Sequence, residues 1–95
     1  MSVIETRVPT QSASRYLQQL CKHWAHKMDV SFTPQEGTVP FKDGLCRFNA
    51  DEGGLSIHIE AADNATTSRL GRVVIEHLQR FAFREELAAP VWRPV

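Results

Sequence analysis

Between Asp29 and Ala61 apolar residues recur at every second position, in four short runs divided by turn-forming residues. Val30 and Phe32 alternate with Ser31 and Thr33, and Pro34-Gln35-Glu36-Gly37 then reverses the chain. Val39 and Phe41 mark the second run. Asp43-Gly44 is the strongest turn signal, because this dipeptide readily supplies the positive φ angles of a type I′ hairpin. On the third run Cys46, Phe48 and Ala50 share one side, with Arg47 and Asn49 on the other. After Asp51-Glu52-Gly53-Gly54, Leu55, Ile57 and Ile59 alternate with Ser56, His58 and Glu60. Four strands joined by short turns make an antiparallel meander. The period of two gives it one buried face and one wet face. Something must cover the apolar face, and that requirement constrains the rest of the chain.

Two segments with helical period meet it. At about 100° per residue, Ala13, Leu17, Leu20, Cys21, Trp24 and Met28 gather on one face, with Tyr16 beside them. A helix is expected from Ser12 to Met28, capped by Thr10 or Ser12. Arg15, Gln18, Gln19, Lys22 and His26 fall outside its stripe. A second helix starts at a cap on Asp63 or Asn64 and runs to about Phe81, with Leu70, Val73, Val74, His77, Leu78 and Phe81 as its stripe. Gly71 inside it costs about 1 kcal/mol against alanine, which implies close packing on a neighbour. Val3 to Val8 reads as an opening strand that Pro9 ends. The tail from Leu87 to Val95, with Pro90 and Pro94 around Val91 and Trp92, is an edge strand or an arm.

These elements predict an α+β fold of two layers over residues 1–95 as a single domain. An antiparallel sheet carries both helices on one face, in the order β-α-β-β-β-β-α. The order matches the TATA-binding-protein-like topology, an analogy of fold that carries no function.

The charge balance narrows the classes of partner. Lys plus Arg is 11 and Asp plus Glu is 11, for a formal net charge of zero. A nucleic-acid binder draws most of its affinity from a basic surplus, so nucleic acid is not expected. No apolar run approaches the roughly 20 residues of a membrane helix. Met1 to Thr10 carries Glu5 and Arg7 and does not read as a secretory signal, so the expected compartment is cytoplasmic. Cys21 and Cys46 fit no CxxC or metal-knuckle spacing, and read as buried free thiols.

Three constellations stand out. His23 and His26 are three apart on a helix, close enough to grip one ion. No third ligand lies one turn away and Lys22 and Lys27 repel cations, so solvated histidines are the competing account and no native metal site is expected. His77 lies within the second apolar stripe, where a buried histidine ordinarily donates to a carbonyl. A pocket between helices and sheet would draw on Tyr16, Trp24, Cys46 and His77. At the end of the second helix, Arg80 can pair with Glu76, and arginines there suit the negative end of the helix dipole. Alternatively Arg80 and Arg84 hold an acidic partner with Phe83 as apolar anchor. His23, His26, Arg80, Phe83 and Arg84 would then form one recognition surface. No GxSxG, GxGxxG, HExxH or phosphate-cradling loop is present, so no catalytic residue or cofactor is expected.

Ser14-Arg15-Tyr16-Leu17-Gln18-Gln19-Leu20-Cys21-Lys22-His23-Trp24-Ala25-His26-Lys27 and His77-Leu78-Gln79-Arg80-Phe81-Ala82-Phe83-Arg84-Glu85-Glu86 carry a resemblance. They resemble the two signature stretches of a bacterial family called domain of unknown function 2218, and the Asp43-Gly44 hairpin between them is similar too. The family has no established activity. Its members are similar to domains sometimes attached to siderophore-interacting flavoprotein reductases, which implies a supporting role in iron uptake with such a reductase as protein partner. The expectation is a non-enzymatic binding or accessory module linked to siderophore-iron utilisation. The alternative is a small-molecule or metal-binding domain with its site between helices and sheet. A monomer is expected, or a homodimer joined through the Trp92 tail or a sheet edge.

Overall fold

Alternation of side chains decides which face of each strand is buried, and the register decides which residues meet. In the computed structural model, which describes residues 1–87 and 90–95, the strands are β1 (Ser2–Pro9), β2 (Ser31–Phe32), β3 (Glu36–Phe41), β4 (Gly44–Ala50), β5 (Gly54–Ala61) and β6 (Arg93–Pro94). They form one antiparallel sheet in the order β2-β3-β4-β5-β1-β6. The meander therefore occupies neighbouring positions, and β1 returns to pair along its whole length with β5, from Ser2↔Ala61 to Pro9↔Gly54.

Val8, Val39, Cys46, Phe48, Ala50, Leu55, Ile57 and Ile59 make up the buried face of the sheet. Two helices cover it, α1 (Ala13–Ala25) against β2 to β5 and α2 (Asn64–Phe81) against β1, β4 and β5. From α1 come Ala13, Tyr16, Leu17, Leu20, Cys21 and Trp24; from α2 come Thr67, Leu70, Val74 and Leu78. Each fully buried Leu or Ile contributes about 1.5–3 kcal/mol, so this row holds the layers together. The two-layer α+β architecture read from the periodicities is the architecture found.

Caps and ends differ in detail from the sequence reading. Asp63 caps α2, its carboxylate accepting from the Thr66 N–H at 2.8 Å. Ser2 Oγ donates to Asn64 Oδ1 at 2.6 Å and lies 3.1 Å from Thr67 Oγ1, which satisfies buried hydroxyls under that helix start. Helix α1 stops at Ala25, three residues before Met28. The Trp24 carbonyl accepts from both Lys27 and Met28, and the chain turns away while Met28 still packs on the core. Past α2, Glu85 accepts from the Tyr16 hydroxyl and from Thr10 Oγ1, tying the C-terminal side of one helix to the start of the other. Those bonds, Tyr16 first, hold the Glu85 carboxyl below its usual range, and burial pushes the Tyr16 phenol up.

The β3–β4 hairpin forms, but not through a type I′ turn at Asp43-Gly44. Phe41 pairs with Gly44, so the loop is Lys42-Asp43, and no described residue, glycine included, takes a positive φ. Gly44 serves close approach. A Cβ there would lie 2.5 Å from the Glu60 carbonyl oxygen and 2.8 Å from Leu70 Cδ1 of α2. Asp43 instead forms an ion pair with Arg69, fastening the turn to α2.

The end of the tail, Arg93–Pro94, is a short edge strand. Within the tail, Ala88 and Ala89 lie outside the described residues. β6 pairs Pro94 with Ile4 and Arg93 with Glu5, and the Val95 N–H donates to the Val3 carbonyl at 2.9 Å. The Trp92 ring lies over Gly71, where a Cβ would come within 3.2 Å of Cε2 and Cζ2. That is the close neighbour the mid-helix glycine implied.

Gly44→Ala should lower the unfolding free energy in urea by about 1–3 kcal/mol, since backbone and Leu70 must both move. Gly53→Ala, whose Cβ would meet only the side-chain ends of Arg7 and Asp51, should stay within about 0.5 kcal/mol of the parent. Equal effects would contradict the close-approach role of Gly44.

Candidate functional site

The face of the sheet opposite the helices has no covering layer among the described residues. Register lines up its outward side chains in rows. Thr38, Arg47, His58, Glu5 and Arg93 stand opposite one another across β3, β4, β5, β1 and β6. Beside them run Glu36, Asn49, Ser56 and Arg7. Directly opposed Cβ atoms in such a sheet are about 4.5–5.5 Å apart, so each side chain acts on the next.

The charges interlock. His58 lies between two carboxylates, its Nδ1 3.5 Å from Glu5 and its Nε2 3.3 Å from Glu60. Arg47 reaches the same Glu60 oxygen at 3.5 Å. Arg7 grips Asp51 with both guanidinium nitrogens, at 2.6 and 2.9 Å, and donates to Ser56 Oγ at 3.1 Å. Asp51 also accepts from the Gly53 and Gly54 N–H groups, and Arg7 first among these partners holds its carboxyl well below the usual range. Over these rows lies a groove of about 430 Å³, lined by both and by Gly37, Phe48 and Ile57 beneath. The arrangement offers hydrogen bonds and ion pairs of both signs. Both His58 nitrogens face carboxylates, and the Ser56 hydroxyl oxygen accepts from Arg7.

The residues singled out from the sequence lie on the other side. Packing of α1 on α2 brings His23 beside His77, with ring centres 5.0 Å apart, and both beside Trp24. Phe81 lies 6.1 Å from His23, and Phe41 and Phe48 extend the aromatic group under Trp24. His77 Nδ1 is 2.7 Å from the Val73 carbonyl, the bond expected of a half-buried histidine. His26 is the exposed C-cap residue of α1. Arg80 is exposed and, among the described residues, forms no ion pair with Glu76. Two exposed long side chains gain too little Coulomb energy to offset lost rotamer freedom. Phe83 and Arg84 lie past the end of α2, with the guanidinium 5.4 Å over the ring.

Of the pocket residues Tyr16, Trp24, Cys46 and His77, the fold brings Trp24 and His77 together, with ring centres 5.1 Å apart. Tyr16 is engaged with Glu85 at the far end of α1, and Trp24 and Cys46 are packed into the core. Four cavities along the described residues are lined by other side chains. Cys21 and Cys46 are buried free thiols; burial pushes Cys21 to about 11 and raises Cys46 further, so both stay protonated. Arg47, Ser56 and His58 are legible in the sequence only as wet-face residues, and Glu5, Arg7 and Arg93 are not singled out there. Charges at alternate positions of successive runs were the available signal, but the long-range pairings that unite them were not.

Residues 5–93 match the family described as "Uncharacterized protein conserved in bacteria (DUF2218)". The chain belongs to this family. The match takes in β2 to β5 and both helices whole, with part of β1 and of β6. The NMR structure of PA4090 from Pseudomonas aeruginosa is similar to this family member, with 34% identity and a TM-score of 0.82 over 98% of this chain and 96% of that one. No curated protein matches the sequence. No helix of the described residues is long and apolar enough to cross a membrane.

His23 has its pKa lowered, first by burial, then by His77, Lys27, His26 and Arg80. A lowered folded value means that the unfolded chain binds the proton more readily. Stability should therefore fall as pH drops below the ordinary histidine value of about 6.5, until the folded value is passed. Urea midpoints measured at closely spaced pH values should show this slope flattened in His23→Gln. An unchanged slope would show that His23 does not carry it.

Proposed function

We propose that this chain is a non-enzymatic binding module that recognises a protein partner through the open face of its sheet. One observation carries the reading: a groove of about 430 Å³ crosses five of the six strands, lined by charged and hydrogen-bonding side chains. Interfaces of this polar kind are wet and exchangeable, and interleaved charges of both signs favour orientation and selectivity over raw affinity. Arg47 and Arg93, both exposed and lining the groove, are its proposed anchors for partner carboxylates. The family resemblance supplies the context: a siderophore-interacting reductase is the proposed partner, siderophore-iron utilisation the proposed process, and the bacterial cytoplasm the proposed compartment.

A second reading puts the partner on the helix side, at His23, His26, Arg80, Phe83 and Arg84. It is favoured by Phe83, which is 75% exposed beneath the Arg84 guanidinium.

Calorimetry with a siderophore-interacting reductase of the host bacterium separates the two. Combined Arg47→Glu and Arg93→Glu changes should weaken binding at least about tenfold, or about 1.4 kcal/mol, while Phe83→Ser leaves it within about twofold. The reverse pattern favours the helix side. Absence of any binding by the unaltered chain would count against the proposed partner.

A further inference from the structure

We propose that His23 and His77 together bind a divalent first-row transition-metal ion at the seam between α1 and α2, with Cu2+ held most tightly. The sequence invites pairing of His23 with His26, but the fold sets it beside His77. Metal–nitrogen bonds are about 2.0–2.1 Å, so two imidazoles in adjacent positions on one ion have ring centres about 5 Å apart. The His23 and His77 centres are 5.0 Å apart, with a 44° tilt between the rings.

The chemistry of each ring fits. A carbonyl only accepts, so the contact between His77 Nδ1 and Val73 O at 2.7 Å places the proton on Nδ1 and leaves the Nε2 lone pair free. A ligating histidine ordinarily has its other ring nitrogen anchored in this way. His23 comes from a different helix, and its surroundings favour the neutral ring that a metal requires. Trp24 and Phe81 flank the pair and limit its rotamers.

No third His, Cys, Asp or Glu joins the pair among the described residues. The site is therefore open, with water or an exogenous anion completing the ion's shell. Lys27 and Arg80 bear on His23; as cations they lower metal affinity while suiting an anion at the open positions. Imidazole ligands select Cu2+, Ni2+ and Zn2+ over Mg2+ or Ca2+, and Cu2+ heads that series.

The test uses the full, untagged chain titrated with CuCl2 by calorimetry and followed by electron paramagnetic resonance. The expected result is one ion per chain, with nitrogen hyperfine coupling from two imidazoles. His23→Gln and His77→Gln should each weaken binding at least about tenfold, and His26→Gln should change it less than about twofold. Because His23 is exposed, its variant should keep the fold, checked by circular dichroism, even if His77→Gln does not. Absence of a bound ion in the unaltered chain, or affinity undiminished in His23→Gln, would overturn the proposal. Equal loss in His26→Gln would overturn it as well.

Discussion

The pairing of β1 with β5 is the contact on which the rest of the structure depends. A meander of four strands has a natural order of its own, and nothing local says where the opening strand should go. Laying Ser2 to Pro9 against Ala61 to Gly54 extends the sheet beyond its last hairpin. It also places the starts of α1 and α2 on the same side. Without it α2 would lose part of its floor, Ser2 would not reach Asn64 and Thr67, and β6 would have no edge to join.

That one pairing also sorts the molecule into two unlike faces. Toward the helices, β1 contributes Val8, the half-buried Ile4 and the buried hydroxyls of Ser2 and Thr6. Away from them it contributes Glu5 and Arg7, which complete the rows begun by Arg47, His58, Asn49 and Ser56. The apolar side is closed by burial, which is non-directional and tolerant of small shifts. The polar side is held by directional ion pairs that water and salt weaken. Apolar burial and interlocked charge are thus placed on opposite sides of one sheet.

Much of this architecture could be read from residue periodicity, because strand and helix periods depend only on neighbours in sequence. The stripes Leu17-Leu20-Cys21-Trp24 and Leu70-Val74-Leu78 point inward as their spacing required, and Gly71 has the close neighbour it implied. Three features escaped for a common reason. Gly44 is needed for the approach of Leu70, a residue far along the chain, and its turn propensity alone gave the wrong hairpin geometry. His23 meets His77 only because α1 packs on α2. The outward rows exist only once β1 lies beside β5. Each depends on long-range packing, and a single sequence carries no local trace of it.

The central claim is that the uncovered sheet face does the recognising. Amide chemical-shift mapping on the 15N-labelled chain, titrated with the proposed reductase partner, tests this most directly. The account predicts shifts concentrated at Glu5, Arg7, Arg47, Ser56, His58 and Arg93, with the exposed sides of α1 and α2 unmoved. Shifts confined to His26, Arg80, Phe83 and Arg84, with the sheet face silent, would contradict it.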